Sequence, residues 1–352
     1  MNLTLSPRYI AVAAVVALGG CVGSSGAPGT PSVAAPQSIV ARSGVGPAVC
    51  TPKVWASSLG TYAVYGYTAA SSAPCVTLIG PYNGLALNAP ITVAISKVPK
   101  RLYVADLGNN RIVVFTYQGA FVKSLSTALN GQLFQPWGVC VSPRGVVGVA
   151  NRQFNNSGPP GNVEFFPPNA PNNSTATGSA TGLFQSDQFC AFDRKGNFYV
   201  DGTTSGGQKI AYLARAYVNL PGQTLVDSGL GTGSFWVGMY SRINNPANQT
   251  LSVGTSVGSS PTETVANWKV SGPAVGPLTF SPLASYSLTS YPPTTDAVYQ
   301  LAPTTGGGSG TLYVADYGNN TVLDAAANGG AVAVYNGVSG TVGVATRPTG
   351  QY

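Results

Sequence analysis

The sequence predicts an all-β fold, a six-bladed β-propeller of four-stranded antiparallel blades, and three observations carry that prediction. The stretch from Leu102 to Phe115 reads LYVADLGNNRIVVF and returns as LYVADYGNNTVLDA from Leu312 to Ala325. Each copy is two runs rich in β-branched and aromatic residues around a Gly-Asn-Asn turn, the pattern of a β-hairpin. With Val104 as a ruler, equivalents fall at Trp55, Val149, Val200, Val253 and Val314. Their spacings of roughly 45 to 60 residues are those of a four-stranded blade. The third observation is composition: Gly (45) and Pro (27) stay below the level of disorder, Tyr (18) outnumbers Phe (12), and no useful amphipathic helical period is present.

Taken in chain order, residues 1–20 carry one basic residue, Arg8, and an apolar run from Tyr9 to Leu18 that is too short to span a bilayer. This is the shape of a signal peptide. Leu18-Gly19-Gly20-Cys21 resembles a bacterial lipobox, which implies lipidation of Cys21 and anchoring to a membrane through the N-terminal lipid. Val22 is not the Asp of an inner-membrane retention signal, so an outer-membrane or surface location is expected. The rest of residues 21–49 is rich in Gly, Ser, Ala and Pro and carries a single charge, Arg42. It lacks the apolar surface to offset its ordering entropy and reads as a flexible tether. At about 28 residues its r.m.s. span is roughly 30 Å, enough to hold a domain clear of lipid headgroups.

Residues 50–352 are expected to form the propeller. Innermost strands are expected at Ile91 to Ile95, Gly138 to Val141, Gln188 to Phe192, Phe235 to Tyr240 and Ala297 to Leu301. The first hairpin, Lys53 to Tyr67, has no such strand upstream, and Thr341 to Thr346 has no partner downstream. The C-terminal strand is therefore expected to complete the N-terminal blade and close the ring, leaving no free edge. In the hairpin turns, Asp106 is expected to accept hydrogen bonds from backbone N–H groups two or three residues on, and Gly108 and Asn109 to tolerate positive φ. Asp106, Asn109, Asp316 and Asn319 are read as turn holders.

The pattern Pro-x-Gly-Val-x-Val, supplied by Pro136 to Val141, and Leu-Tyr-Val-Ala-Asp-x-Gly-Asn-x-Arg-Ile, supplied by Leu102 to Ile112, resembles the NHL repeat of six-bladed propellers related to gluconolactonase-like proteins. The likeness is strong in blades two and six, partial in three and four, and weak in one and five. A shared propeller implies a fold and little about activity.

With Cys21 taken by lipid, the remaining four of the five cysteines suit an oxidising compartment. Cys140 and Cys190 occupy matching places in the innermost strands of neighbouring blades. Cys50 and Cys75 flank the outer strands of blade one. The expected pairs are Cys140 with Cys190 and Cys50 with Cys75, the connectivity that links neighbours.

Strand order assigns residues to the two faces. The face of the channel mouth gathers Gln135, Trp137, Arg152, Asp187, Gln188, Asp201, Phe235, Trp236 and Asp296, with the turn residues Asp106 and Asp316. Aromatic rings beside carboxylates and amides suit a sugar-like or other polar organic ligand; the alternative is that Trp137 and Trp236 wedge between blades. The opposite face holds Lys97, Lys100, Arg101, Arg144, Arg194, Lys195, Arg242 and Arg347 against one acid, Asp193. That is half of the basic residues downstream of the signal peptide. Such a rim attracts anionic lipid or phosphorylated glycan in a salt-dependent way, and the alternative is a set of solvated turns. Nothing in it points to sequence-specific nucleic-acid binding.

The chain contains no histidine, which excludes Ser-His-Asp, Cys-His and His-ligated zinc chemistry. Its two glutamates, Glu164 and Glu263, fall on third strands, far from the channel. Gluconolactonase-like enzymes hold their metal with a Glu, an Asn and an Asp, and no residue here takes the place of that Glu. Asp187, Asp201 and Asp296 could hold a hard divalent cation such as Ca²⁺ through oxygen ligands. The expectation is a lipid-anchored extracytoplasmic binding or interaction module with no cofactor and no assigned catalytic residue, its protein or carbohydrate ligand unnamed. The alternatives are a metal-dependent hydrolase or lactonase and a structural envelope protein.

Overall fold

The computed structural model describes residues 50–68, 71–129, 131–152, 160–182, 184–193, 196–204, 207–213, 223–227, 234–235, 239–243, 249–257, 263–271, 279–283, 286–288, 298–303, 312–325, 331–336 and 339–347. The expected signal peptide, Cys21 and tether lie outside them. Apart from a 3-10 turn at Leu107–Asn109, the regular structure in these residues is β. No helix among them is long and apolar enough to cross a membrane.

The molecule is a propeller of small antiparallel sheets. Four of the four-stranded blades are continuous in sequence. They are Pro90–Ser96 with Arg101–Asp106, Arg111–Thr116 and Phe121–Leu125; Pro136–Val141 with Val147–Asn151, Asn162–Phe166 and Gly178–Thr181; Ser186–Phe192 with Phe198–Thr204, Gly207–Leu213 and Gln223–Asp227; and Val298–Pro303 with Leu312–Asp316, Thr321–Ala325 and Ala331–Asn336. A fifth joins Val54–Ser58, Ala63–Tyr67 and Val76–Leu78 to Thr341–Thr346, whose Ala345 lies opposite Trp55.

Five four-stranded blades are thus formed where six were expected. Residues between Ser234 and Ser287 make a six-stranded sheet instead. Its strands Gln249–Val257 and Glu263–Ser271 are nine residues each, longer than their neighbours, and each is flanked by two short partners. Hence the expected innermost strand Phe235 to Tyr240 is divided: Ser234–Phe235 pairs near one end of Gln249–Val257, and Met239–Ile243 near the other.

The ruler residues keep one register. Val104 lies between Val93 and Val113, Val149 between Val139 and Glu164, Val200 between Cys190 and Ala211, and Val314 between Leu301 and Leu323. Second strands such as Val54–Ser58 and Leu312–Asp316 are buried throughout, because each blade is covered on both faces by its neighbours. That is why they read as unbroken apolar runs rather than alternating ones. One interblade core joins Tyr103, Ile112, Val139, Val149 and Phe166; the next joins Ala150, Phe165, Phe192 and Phe198. Each buried Phe contributes about 2–3 kcal/mol of apolar transfer. The Gly of Pro-x-Gly-Val has a steric cause, since a Cβ at Gly138 would strike the carbonyl of Gln188 in the next innermost strand. Gly343 stands in the same relation to the carbonyl of Ile91.

The hairpin turn differs from expectation in detail. The left-handed residues are Asn110 (φ 53°) and Asn320 (φ 54°), one position beyond the expected pair. Gly108 is needed for close approach instead: its N–H donates to the carbonyl of Asn88, and an added Cβ would lie 2.5 Å from the Asn88 side chain. Asp316 behaves as expected, accepting from the Asn319 N–H at 3.1 Å. Asp106 accepts from the Asn88 N–H at 2.7 Å, so it ties the turn to the loop before its blade.

Both expected disulfides form, Cys50–Cys75 and Cys140–Cys190, with Cα atoms 6.1 and 5.8 Å apart.

Candidate functional site

Of the residues expected at the channel mouth, Gln135, Trp137, Arg152, Asp187, Gln188 and Asp201 come together between the Pro136–Thr181 and Ser186–Asp227 blades. Trp236 and Asp296 lie outside the described residues, and only the backbone of Phe235 is described.

Trp137 does not offer an open platform. It is 6% exposed, its edge meets Phe189 in a T-shaped contact at 6.5 Å, and the Arg152 guanidinium covers its ring at 4.3 Å. The Arg152 N–H in turn donates to the carbonyl of Gln135. The interblade wedge is therefore what Trp137 does, because the innermost strands approach too closely at Gly138 to leave an indole outside.

Behind this layer sit two buried carboxylates. Asp187 is the second residue of its blade's innermost strand; Asp201 lies on the adjacent strand and accepts the Phe189 N–H at 2.5 Å through Oδ1. Among the described residues, Oδ2 of Asp201 and both carboxylate oxygens of Asp187 have no hydrogen-bond partner, and neither do Gln188 Oε1 and Asn151 Oδ1. Burial raises both carboxyl groups well above the ordinary Asp value. For Asp201 the Phe189 N–H pulls the other way, and the Asp187 charge adds a smaller upward push. Among the described residues no three of His, Cys, Asp and Glu converge, so these two acids must be read with neutral amides.

The turn acids are spent on structure. Asp106 Oδ2 accepts from Asn109 Nδ2 and Arg111 Nε, and Asp316 Oδ2 from Asn319 Nδ2. Glu164, on its third strand, accepts from Leu129 N–H, Asn162 and Ser179. Arg111 was passed over as a site residue, although it stands in the quoted Leu102 to Ile112 motif. It is buried, paired with Asp106 at 2.7 Å, and donates to the carbonyls of Tyr82 and Leu85.

On the opposite rim the loop carrying Lys97, Lys100 and Arg101 abuts the loop carrying Arg144, because Gly145 packs on the Val98 carbonyl. Lys100 and Arg144 are exposed, as is Val98 at 61%. The Arg347 guanidinium lies 4.6 Å over Tyr117, whose hydroxyl donates to the Ser96 carbonyl, so it joins the same patch. The one acid expected there, Asp193, is buried and accepts from the Asn197 backbone, the Asn197 side chain and the Tyr199 hydroxyl. Arg194 and Lys195 lie outside the described residues, as does the Arg242 side chain.

No family model and no curated protein matches the sequence. Solved structures match in fold. A chain of a nidogen/laminin complex is 12% identical, with 83% of this chain and 97% of that one covered at a TM-score of 0.57. A protein of unknown function from Bacteroides caccae is 11% identical over 84% of this chain and 98% of its own, at 0.53. A functionally unknown protein from Desulfotomaculum acetoxidans is 12% identical over 85% and 100%, at 0.52. At these identities the likeness is one of fold. Fold and cysteines together define the class, a disulfide-bonded β-propeller, and the disulfides point to an oxidising, extracytoplasmic compartment.

Proposed function

We propose that this chain is a lipid-anchored, extracytoplasmic propeller of six blades that acts as a non-catalytic binding module, with its basic rim as the contact surface. Counting the Ser234–Ser287 sheet as a sixth blade is supported by strand Met239–Ile243, which lies beside both Ser186–Phe192 and Val298–Pro303. Closure of the ring is supported by the pairing of Val54–Ser58 with Thr341–Thr346.

The observation that carries the function is a cluster of five basic residues on one rim, with the acid expected among them buried. Lys97, Lys100, Arg101, Arg144 and Arg347 share one patch, and its only expected acid, Asp193, is turned inward on its own loop. An exposed Val98 among these cations suits a surface of anionic lipid headgroups. A tether anchored at Cys21 would hold the rim within reach of such a surface. An unlipidated Cys21→Ser protein is expected to float with anionic vesicles and not with neutral ones, to release as salt rises, and to lose binding with Lys100→Glu and Arg144→Glu together. Equal binding to both vesicle types at low salt rejects the reading.

A second reading, a metal-dependent hydrolase or lactonase, draws on the two buried carboxylates beside the channel. It lacks the Glu of the gluconolactonase-like pattern, and Trp137, one of the aromatic residues expected at the mouth, is buried.

A further inference from the structure

The Ser186–Asp227 blade departs from its own repeat at two places. The residue after the ruler position on the second strand is Ala56, Ala105, Ala150 and Ala315 in the other four-stranded blades, each fully buried. In this blade it is Asp201. The residue paired across the start of the innermost strand is Pro90 opposite Asp106, Pro136 opposite Asn151 and Val298 opposite Asp316. Here it is Asp187, opposite Gly202. No other four-stranded blade places a carboxylate at either position, so the fold does not require one.

Three carboxylate oxygens are buried here without a donor among the described residues, and such groups are rare unless something absent from the protein alone satisfies them. The wall of the site is backbone. A Cβ added at Gly161 would lie 2.6 Å from Asp187 Oδ2 and 3.1 Å from the Asn151 carbonyl, so glycine keeps that approach clear. Asn151 donates through Nδ2 to Asn162 at 3.1 Å, and its Oδ1 is left free.

We propose that Asp187 and Asp201 bind a hard divalent cation of the Ca²⁺ class between these two blades, with Asn151 and Gln188 as the neighbouring neutral oxygen donors. The donor set is all oxygen, which excludes a preference for soft metals. Two carboxylates neutralise a divalent charge completely, whereas an organic amine would leave one negative charge buried. The proposal is independent of the basic rim and of hydrolysis.

The test is calorimetry and thermal melting of the chelator-treated full-length protein with Ca²⁺, Mg²⁺, Mn²⁺ or Zn²⁺ added singly. The expected result is one saturable site for Ca²⁺ or Mg²⁺ that raises the melting temperature. Asp187→Asn and Asp201→Asn should each weaken it by at least about tenfold, the scale of losses at metal sites. Asp201→Ala restores the residue of the other blades and serves as a second folded variant. The proposal is overturned by the absence of any response up to roughly 10 mM cation, above the range of extracellular calcium modules. Undiminished binding in the double Asn variant, or a response to Zn²⁺ alone, overturns it as well.

Discussion

Arg111 shows what a single side chain does for this fold. Its guanidinium joins Asp106 on its own hairpin to the Tyr82 and Leu85 carbonyls of the loop before the blade, with the Arg111–Asp106 pair itself buried. Removing one member of such a buried pair leaves the other charge uncompensated. Arg111→Ala is expected to cost about 3–5 kcal/mol in urea denaturation. The buried acids near the channel give the opposite kind of signal. Because Asp187 and Asp201 titrate higher folded than unfolded, their contribution to stability in metal-free buffer is complete below the unfolded value of about 4. It is lost as pH rises toward their folded values. Melting temperature without metal should therefore fall from pH 4 to 7 more steeply in the wild type than in the Asp187→Asn, Asp201→Asn double variant. The acids were legible in the sequence as types and positions. Their isolation was not, because hydrogen-bond partners depend on the bulge between Asp187 and Cys190, which periodicity cannot reveal. One signal was available: Tyr-Val-Ala-Asp in two blades becomes Tyr-Val-Asp-Gly at Tyr199 to Gly202, which places a charge at a buried alanine site.

At the scale of elements, strand order and register were readable because a four-stranded antiparallel meander repeats its apolar runs at blade length. The turn was readable in kind and missed by one residue, since Asn110 and Asn320 each carry the positive φ and also reach onward. Asn110 Oδ1 accepts from the Gln135 N–H at 2.8 Å, and Asn320 Oδ1 from the Gly340 N–H at 2.5 Å. Both bonds run from a hairpin turn into the approach to another blade. The failure at Phe235 to Tyr240 has a different cause: strands of nine residues give no periodic sign of where a shorter partner breaks. The Cys140–Cys190 bridge ties two innermost strands and closes a separation of 50 residues. Replacing both cysteines by Ser is expected to lower stability by about 2–4 kcal/mol, measured by denaturant titration. Cys50–Cys75 lies within one blade and closes 25 residues, so its loss should cost less.

For the molecule as a whole, the N-terminal blade depends on the other end of the chain. Thr341–Thr346 is buried along its whole length and pairs with Val54–Ser58, with a bulge between Ser57 and Ser58. A protein ending at Gly340 would expose the inner edge of that blade and the apolar side chains of Val342 and Val344 would be missing from the core. Its circular-dichroism melt is expected to lose cooperativity or shift down sharply; an unchanged melt would show that this strand is dispensable.

That pairing also sets a clock. Residues 54–58 wait on residues 341–346, so a chain that emerges N-terminus first cannot complete this blade until that later stretch is free. Until that pairing forms, the blade stays one strand short of its final state.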